Sequence, residues 1–202
     1  MKSGAQSSQM NSYLKVGMHT AVLITILFVG AFSCSNTKKP TDIINNANSS
    51  NSDTIKMGKD AQFVVKVAGI NLEEIKLGQL AQQKGTVQHV KDLGKMMEDE
   101  HTKAQSDLTI LAAKESITIP ITLDSNAQND YKRLSDLSGS DFDKQYSDMM
   151  VNGHKGAIAL FEAESANASD TAIKQMAVAT LPTLHKHLDH AMMCQKECGR
   201  ME

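Results

Sequence analysis

From residue 58 onward the apolar positions of this chain recur in steps of three and four, the period of a helix rather than the alternation of a strand. Phe63, Val67, Ile70, Glu74, Leu77 and Ala81 share one face of a helix predicted from Asp60, its N-cap, to about Lys84, where Gly85 stops it. A second helix is predicted from about Thr86 to Glu115, with Val90, Met97, His101, Ala104, Leu108 and Leu111 on its inner stripe. A third follows Ser140 and runs to about Ala166 on Phe142, Tyr146, Met150, His154, Ala157 and Phe161. The fourth starts after Ser169 and runs to about Glu197 on Ile173, Ala177, Thr180, Leu184, His187, Ala191 and Cys194. Pro182 falls inside it, where it should kink the helix and leave a carbonyl near Val178 without its donor.

The connection between helices two and three, about residues 117 to 139, is much longer than the others. Pro120 disfavours helix at Ile119, and Asp124 to Leu137 reads as a short extra helix. Four helices with one long connection in the middle suit a crossover bundle. The expected fold is therefore all-α, a ferritin-like four-helix bundle.

The pattern before residue 58 is different. Polar residues with Lys2 and Lys15 precede an apolar run from Ala21 to Phe32. That run is shorter than the roughly 20 residues a membrane-spanning helix needs, and it fits the apolar region of a secretory signal. It ends in Ala31-Phe32-Ser33-Cys34, which resembles a lipobox, although Ala31 stands where Leu is usual and Phe32 is bulky. The expectation is lipidation at Cys34. An ordinary signal peptide, or an uncleaved anchor, would carry the same apolar run. The stretch SNTKKPTDIINNANSSNSDTIKM then shows no apolar period and reads as a flexible tether. The chain divides on this reading into a signal peptide (1–33), a lipidated cysteine with its tether (34–57), a four-helix domain (58–198) and a short tail (199–202). Such a protein would be exported and held by its lipid at the cell envelope, facing the periplasm, with the outer membrane the expected site.

Composition adds two constraints. A net charge of -2 over 202 residues offers no basic excess, so nucleic acid is not an expected partner. Aromatic residues at 4% and only three prolines weigh further toward helices.

The informative residues are polar ones on apolar stripes. Glu74, His101, His154 and His187 each occupy a core position near the middle of a helix. Mid-helix positions meet at one level in an antiparallel bundle, so one carboxylate and three imidazoles are expected to converge. Imidazole suits Zn, Cu, Fe and Ni, and bundle cores commonly house such sites. The same four residues would also serve as a metal-free polar network satisfied by hydrogen bonds. Helices two and three both carry Met-x3-His-x2-Ala, at Met97/His101/Ala104 and Met150/His154/Ala157. A thioether one turn from an imidazole would favour copper, while Met is also an ordinary filler of irregular cores. Glu98 and His101 form a Glu-x-x-His pair like those of di-iron bundles. The second pair such a centre needs is missing, because Leu184 stands three before His187, and Glu162 and Glu164 lie two or more turns from His154. Metal candidates are thus Glu74, His101, His154 and His187, with Glu98, Met97 and Met150 as further ones, and iron, copper or zinc as the ion. His190, Cys194 and Cys198 share a face at the C-terminus, as a soft-metal site or as a polar tail in which the two cysteines pair. No Gly-rich phosphate loop or nucleophile elbow is present.

The stretch from about Asp60 to Cys194 resembles the family called Domain of Unknown Function 4142. The residues that carry the likeness are Glu74-Ile75-Lys76-Leu77-Gly78, Met97 through Ala104, Phe142-Asp143-x-x-Tyr146, Met150 through Ala157, and Thr180-Leu181-Pro182-x-Leu184 leading to His187-Leu188. The resemblance implies an exported bacterial protein with a ferritin-like bundle, and it implies no activity. The family usually has Asp before each motif histidine, where this chain has Glu100 and Gly153. Two functions follow from these readings: an envelope lipoprotein whose bundle binds a transition metal, or a metal-free structural or interaction module of the envelope.

Overall fold

The computed structural model describes residues 58–200. Cys34, the apolar run from Ala21 to Phe32, the tether through residue 57 and the last two residues lie outside the described residues. Within them the chain forms α1 (Lys59–Lys84), α2 (Gln88–Lys114), α3 (Ser125–Ser135), α4 (Gly139–Asn167) and α5 (Thr171–Cys198), and no strand. No helix among the described residues is long and apolar enough to cross a membrane.

The helix ends are set by side chains the stripe pattern does not single out. α1 begins at Lys59 after Gly58, and Asp60 is not its cap. The Asp60 carboxylate instead accepts the backbone N–H groups of Ser169 and Asp170 at 2.9 and 2.6 Å, between α4 and α5. Asp170 caps α5 by accepting from Ala172 and Ile173, and Asp124 caps α3 by accepting from Ala127. Asp143, fully buried near the start of α4, accepts from the backbone of Thr86 and Val87 and from the Thr86 hydroxyl. It thereby supplies acceptors to the turn ahead of α2, which has no cap of its own. α5 runs unbroken through Pro182. The Val178 carbonyl loses its helical donor there, and it does so on an exposed stretch where water can replace it.

These contacts also fix helix direction. The Asp143–Thr86 bonds put the start of α4 beside the end of α1, and the Asp60 bonds put the turn after α4 beside the start of α1. α4 is therefore antiparallel to α1 and parallel to α2, the up-down-down-up order of ferritin-like bundles. Residues 115–138 must climb the full height of the bundle. Ile117 and Ile119 pack at the bottom against the cluster containing Phe63 and Ile173. Leu134 is buried at the top with Leu77 and Phe142. There the Lys84 ammonium donates to the Ser135 carbonyl and lies 5.8 Å above the Phe142 ring.

Packing is denser within the α1–α2 and α4–α5 hairpins than between them. In the first hairpin, glycine is required on both sides of the crossing. A Cβ on Gly78 would lie 2.5 Å from the Gly94 carbonyl, and one on Gly94 would lie 2.7 Å from that of Gly78. The core falls into two apolar clusters stacked along the bundle. One holds Leu77, Met97, Phe142, Tyr146, Met150, Ala191 and Cys194, the other Val67, Leu108, Ala157, Phe161, Ile173 and Leu184.

Candidate metal centre

Between the two clusters lies a layer of buried polar side chains. On every long helix the apolar stripe is interrupted by buried polar residues: α1 by Asn71 and, one turn on, Glu74, α2 by His101, α4 by His154 and α5 by His187. Burial of each of these five exceeds nine-tenths. Such groups are tolerated in a dry core only when hydrogen-bonded, charge-neutral or ligated.

The three imidazoles come together. Ring centroids are 5.3 Å apart for His101–His187 and His154–His187 and 5.9 Å for His101–His154. One nitrogen from each ring lies within 4.8 Å of one from each of the others. Each ring is tied at its other end to an oxygen that can only accept. His101 Nδ1 is 3.0 Å from Asn71 Oδ1, whose amide nitrogen donates to Gln105 Oε1. His154 Nδ1 is 2.8 Å from the Met150 carbonyl one turn back on α4. His187 Nε2 is 2.8 Å from Glu100 Oε2. The tied nitrogen must carry the proton in all three rings. His101 Nε2, His154 Nε2 and His187 Nδ1 are left with lone pairs, and these atoms are buried without a partner.

Electrostatics favour the neutral rings. Burial, reinforced by the other two imidazoles, drives the His101 pKa from 6.5 down to about 3. Burial also lowers His154, against an upward pull from the Met150 carbonyl. It lowers His187 as well, against the Glu100 hydrogen bond. Partial burial works to raise Glu100, but hydrogen bonds from Lys186 and His187 prevail and hold it below the ordinary carboxylate range. Glu100 is thus an anion between the Lys186 ammonium at 2.8 Å and the outer edge of His187. Three neutral imidazoles with protons fixed outward by a carboxylate, an amide and a carbonyl form the arrangement that orients metal-ligating histidines. The donor set fits a transition metal and not a hard, oxygen-seeking cation.

Of the four side chains expected to converge, three do. Glu74 lies one turn along α1 from Asn71, and its carboxylate is not part of the three-nitrogen group. A Cβ added to Gly153 would lie 3.4 Å from Glu74 Oε1. The residue lines a separate cavity between α1 and α4 with Glu73, Met150 and Gly153. Burial alone raises the Glu74 pKa to about 8, so it is held as the neutral acid. Met97 and Met150 pack in the apolar cluster beyond the layer. Glu98 faces α1 from outside, where Gln79 and Gln82 donate to its two oxygens at 2.8 and 2.6 Å. At the C-terminus Cys194 and Cys198 are free and buried while His190 is exposed. Burial pushes the Cys194 thiol up to about 12. The stripe reading passed over two residues, Asn71 and Glu100. Asn71 stands four after Val67 and three before Glu74, so the period itself marks its position.

A family model, Domain of unknown function (DUF4142), matches residues 45–194. That is most of the chain, and the protein belongs to this family. The match begins within the segment read above as a tether. No functionally curated protein matches the chain. Among solved structures, a crystal structure of a DUF305 fragment from Deinococcus radiodurans is similar at a TM-score of 0.60 and 12% identity, covering 71% of this chain and 97% of the fragment. At that identity the likeness establishes the helical fold alone.

Proposed function

We propose that the bundle binds one transition-metal ion through His101, His154 and His187, as a metal-storing, metal-buffering or stress-protective protein of the cell envelope. The observation that carries this reading is the set of three unpartnered ring nitrogens in one buried layer, each on a ring whose opposite nitrogen is already committed. In a metal-free core three such lone pairs would each lack a donor, a costly arrangement at roughly 1–3 kcal/mol apiece. Zinc, copper and iron all accept imidazole. A tetrahedral ion would need its nitrogens roughly 3.4 Å apart, so binding draws the rings inward by an ångström-scale side-chain adjustment.

The lipid on Cys34 belongs to the same proposal. Its support is the apolar run ending in Ala31-Phe32-Ser33-Cys34, and radiolabelled palmitate incorporation, lost in Cys34→Ser, is its test.

Metal analysis of untagged protein tests the site. The wild type is expected to carry close to one ion per chain, and a His101→Ala/His154→Ala variant that keeps its helical circular dichroism is expected to carry almost none. At a metal concentration about 100 times the Kd, binding stabilises by about 2.7 kcal/mol. For a domain of this size that raises Tm by roughly 8 °C. Equal, negligible metal in both proteins and a Tm indifferent to chelator would favour a metal-free structural or interaction module instead.

A further inference from the structure

The cavity that Glu74 lines holds about 380 Å³ and is bounded by α1, α3 and α4. Four carboxylates line it: Glu73 and Glu74 from α1, Asp130 from α3 and Asp148 from α4. The lining cation, Arg133, already holds Asp130 at 2.8 Å. Asp148 accepts from a neutral amide, that of Gln195, at 2.6 Å. At Glu73, burial and then the carboxylates of Glu74, Asp130 and Asp124 all act in one direction and raise the pKa from 4.5 to about 7, with no cation opposing them among the described residues. Glu74 is more than nine-tenths buried, and its Oε2 has no partner. Its Oε1 faces Gly153, another lining residue, and lies 3.4 Å from where a Cβ would stand there. A buried acceptor left without a donor costs stability, so Glu74 weakens the empty fold and is poised to accept from a ligand.

The surroundings say which ligand. Carboxylate oxygens in excess of donors call for a cation that carries N–H groups. Among the described residues only the three histidines bring three ligand atoms within 4.8 Å of one another. The carboxylates of this cavity are therefore too widely spaced to chelate a bare metal ion. The space is that of a small organic molecule, and Leu77, Met149 and Met150 give it an apolar side. We propose that this cavity binds a small aliphatic amine, its ammonium group held by Glu73 and Glu74 and its carbon chain lying against the methionines. The site uses none of the three histidines, so it stands whether or not they bind a metal.

The test uses full-length protein stripped of metal by a chelator and then dialysed free of it, so that no amine can bind at a metal ion. It is titrated calorimetrically, at constant ionic strength, with butane-1,4-diamine and with butane-1,4-diol, which has the same carbon chain and no charge. The diamine should bind at one site per chain, and the diol should not bind. Glu73→Gln and Glu74→Gln should each weaken the diamine by about tenfold or more, as loss of a charge-assisted hydrogen bond implies. Both replacements keep the size of the side chain. Glu162→Gln, at an exposed position of α4 that does not line the cavity, removes the same charge and should change affinity by less than about twofold, because salt screens distant charges. Absence of diamine binding would overturn the proposal. So would undiminished binding in both Glu73→Gln and Glu74→Gln, or equal losses in all three variants, which would mark a diffuse response to net charge. Calcium or magnesium chloride, added at the same concentration as the diamine, should not displace it. Displacement by either ion would make this a hard-cation site and refute the amine.

Discussion

Replacing Glu74 by Gln should make the protein more stable at neutral and alkaline pH and should flatten its stability profile. The Glu74 carboxyl is buried, accepts no ion pair, and has its pKa raised from 4.5 to about 8 by burial. Below the lower value the side chain is protonated in both folded and unfolded chains and contributes nothing to pH dependence. As pH rises, the unfolded chain ionises first. The folded state then binds more protons than the unfolded one, so stability falls with pH until the folded carboxyl ionises too. At about 1.4 kcal/mol for each pH unit the loss is about 3 kcal/mol by pH 7 and about 5 kcal/mol at pH 8. Gln is neutral throughout and carries no such loss. The histidines act in the opposite sense: their lowered pKa values contribute stability above about pH 6.5 that is lost on acidification. That contribution is common to both proteins and cancels in the comparison. The assay is urea unfolding of metal-free wild type and Glu74→Gln, in chelator, at about pH 5 and about pH 8. The difference in unfolding free energy should grow in favour of Gln by about 4 kcal/mol between them. A difference constant to within about 0.5 kcal/mol would show that Glu74 is ionised in the fold and that the burial argument is wrong.

Asn71→Ala and Glu100→Ala should each weaken metal binding by about 10–100-fold in competition with a chromogenic chelator, because each frees the ring it orients; losses under twofold in both would remove that role. Asp143→Ala should lower unfolding free energy by about 2 kcal/mol in urea titrations, since three donors around Thr86 and Val87 lose their acceptor. Gly78→Ala should destabilise by about 2–3 kcal/mol, because its Cβ meets a backbone carbonyl that cannot rotate away. Gly156→Ala, with nothing within 4 Å of its added methyl, should instead stabilise by up to about 1 kcal/mol. Thermal melts that rank these two alanines the other way would contradict the packing described at the α1–α2 crossing.

The stripes revealed the helices and the three histidines because a polar residue at an apolar step is visible without coordinates. Glu74 stood on its stripe just as clearly, yet it misses the group. One helical turn displaces a side chain by about 5.4 Å along the axis, and the axial offset of one helix against another is not written in the period of either. Asn71 shared the stripe and went unremarked, because an amide looks like any surface residue until its partner is known. Glu100 presents a harder case. It lies beside the stripe, and its bond to His187 depends on the rotation of α2 against α5. The caps show a similar limit: Asp60 and Asp143 are both cap residues by type, but each serves the end of a different helix. The crossover was legible from loop length alone, since a connection of that size between two long helices leaves room to bring them parallel.

The division of the bundle into two tightly packed hairpins gives the histidine layer a mechanical meaning. His101 belongs to one hairpin, and His154 and His187 belong to the other. An ion held by all three would act as a rivet through the seam between two stiff plates. Amide hydrogens facing that seam should then exchange with solvent by whole-hairpin separation when the rivet is out and only by global unfolding when it is in. The rate at which the protein surrenders its metal would thus be set by the breathing of the seam.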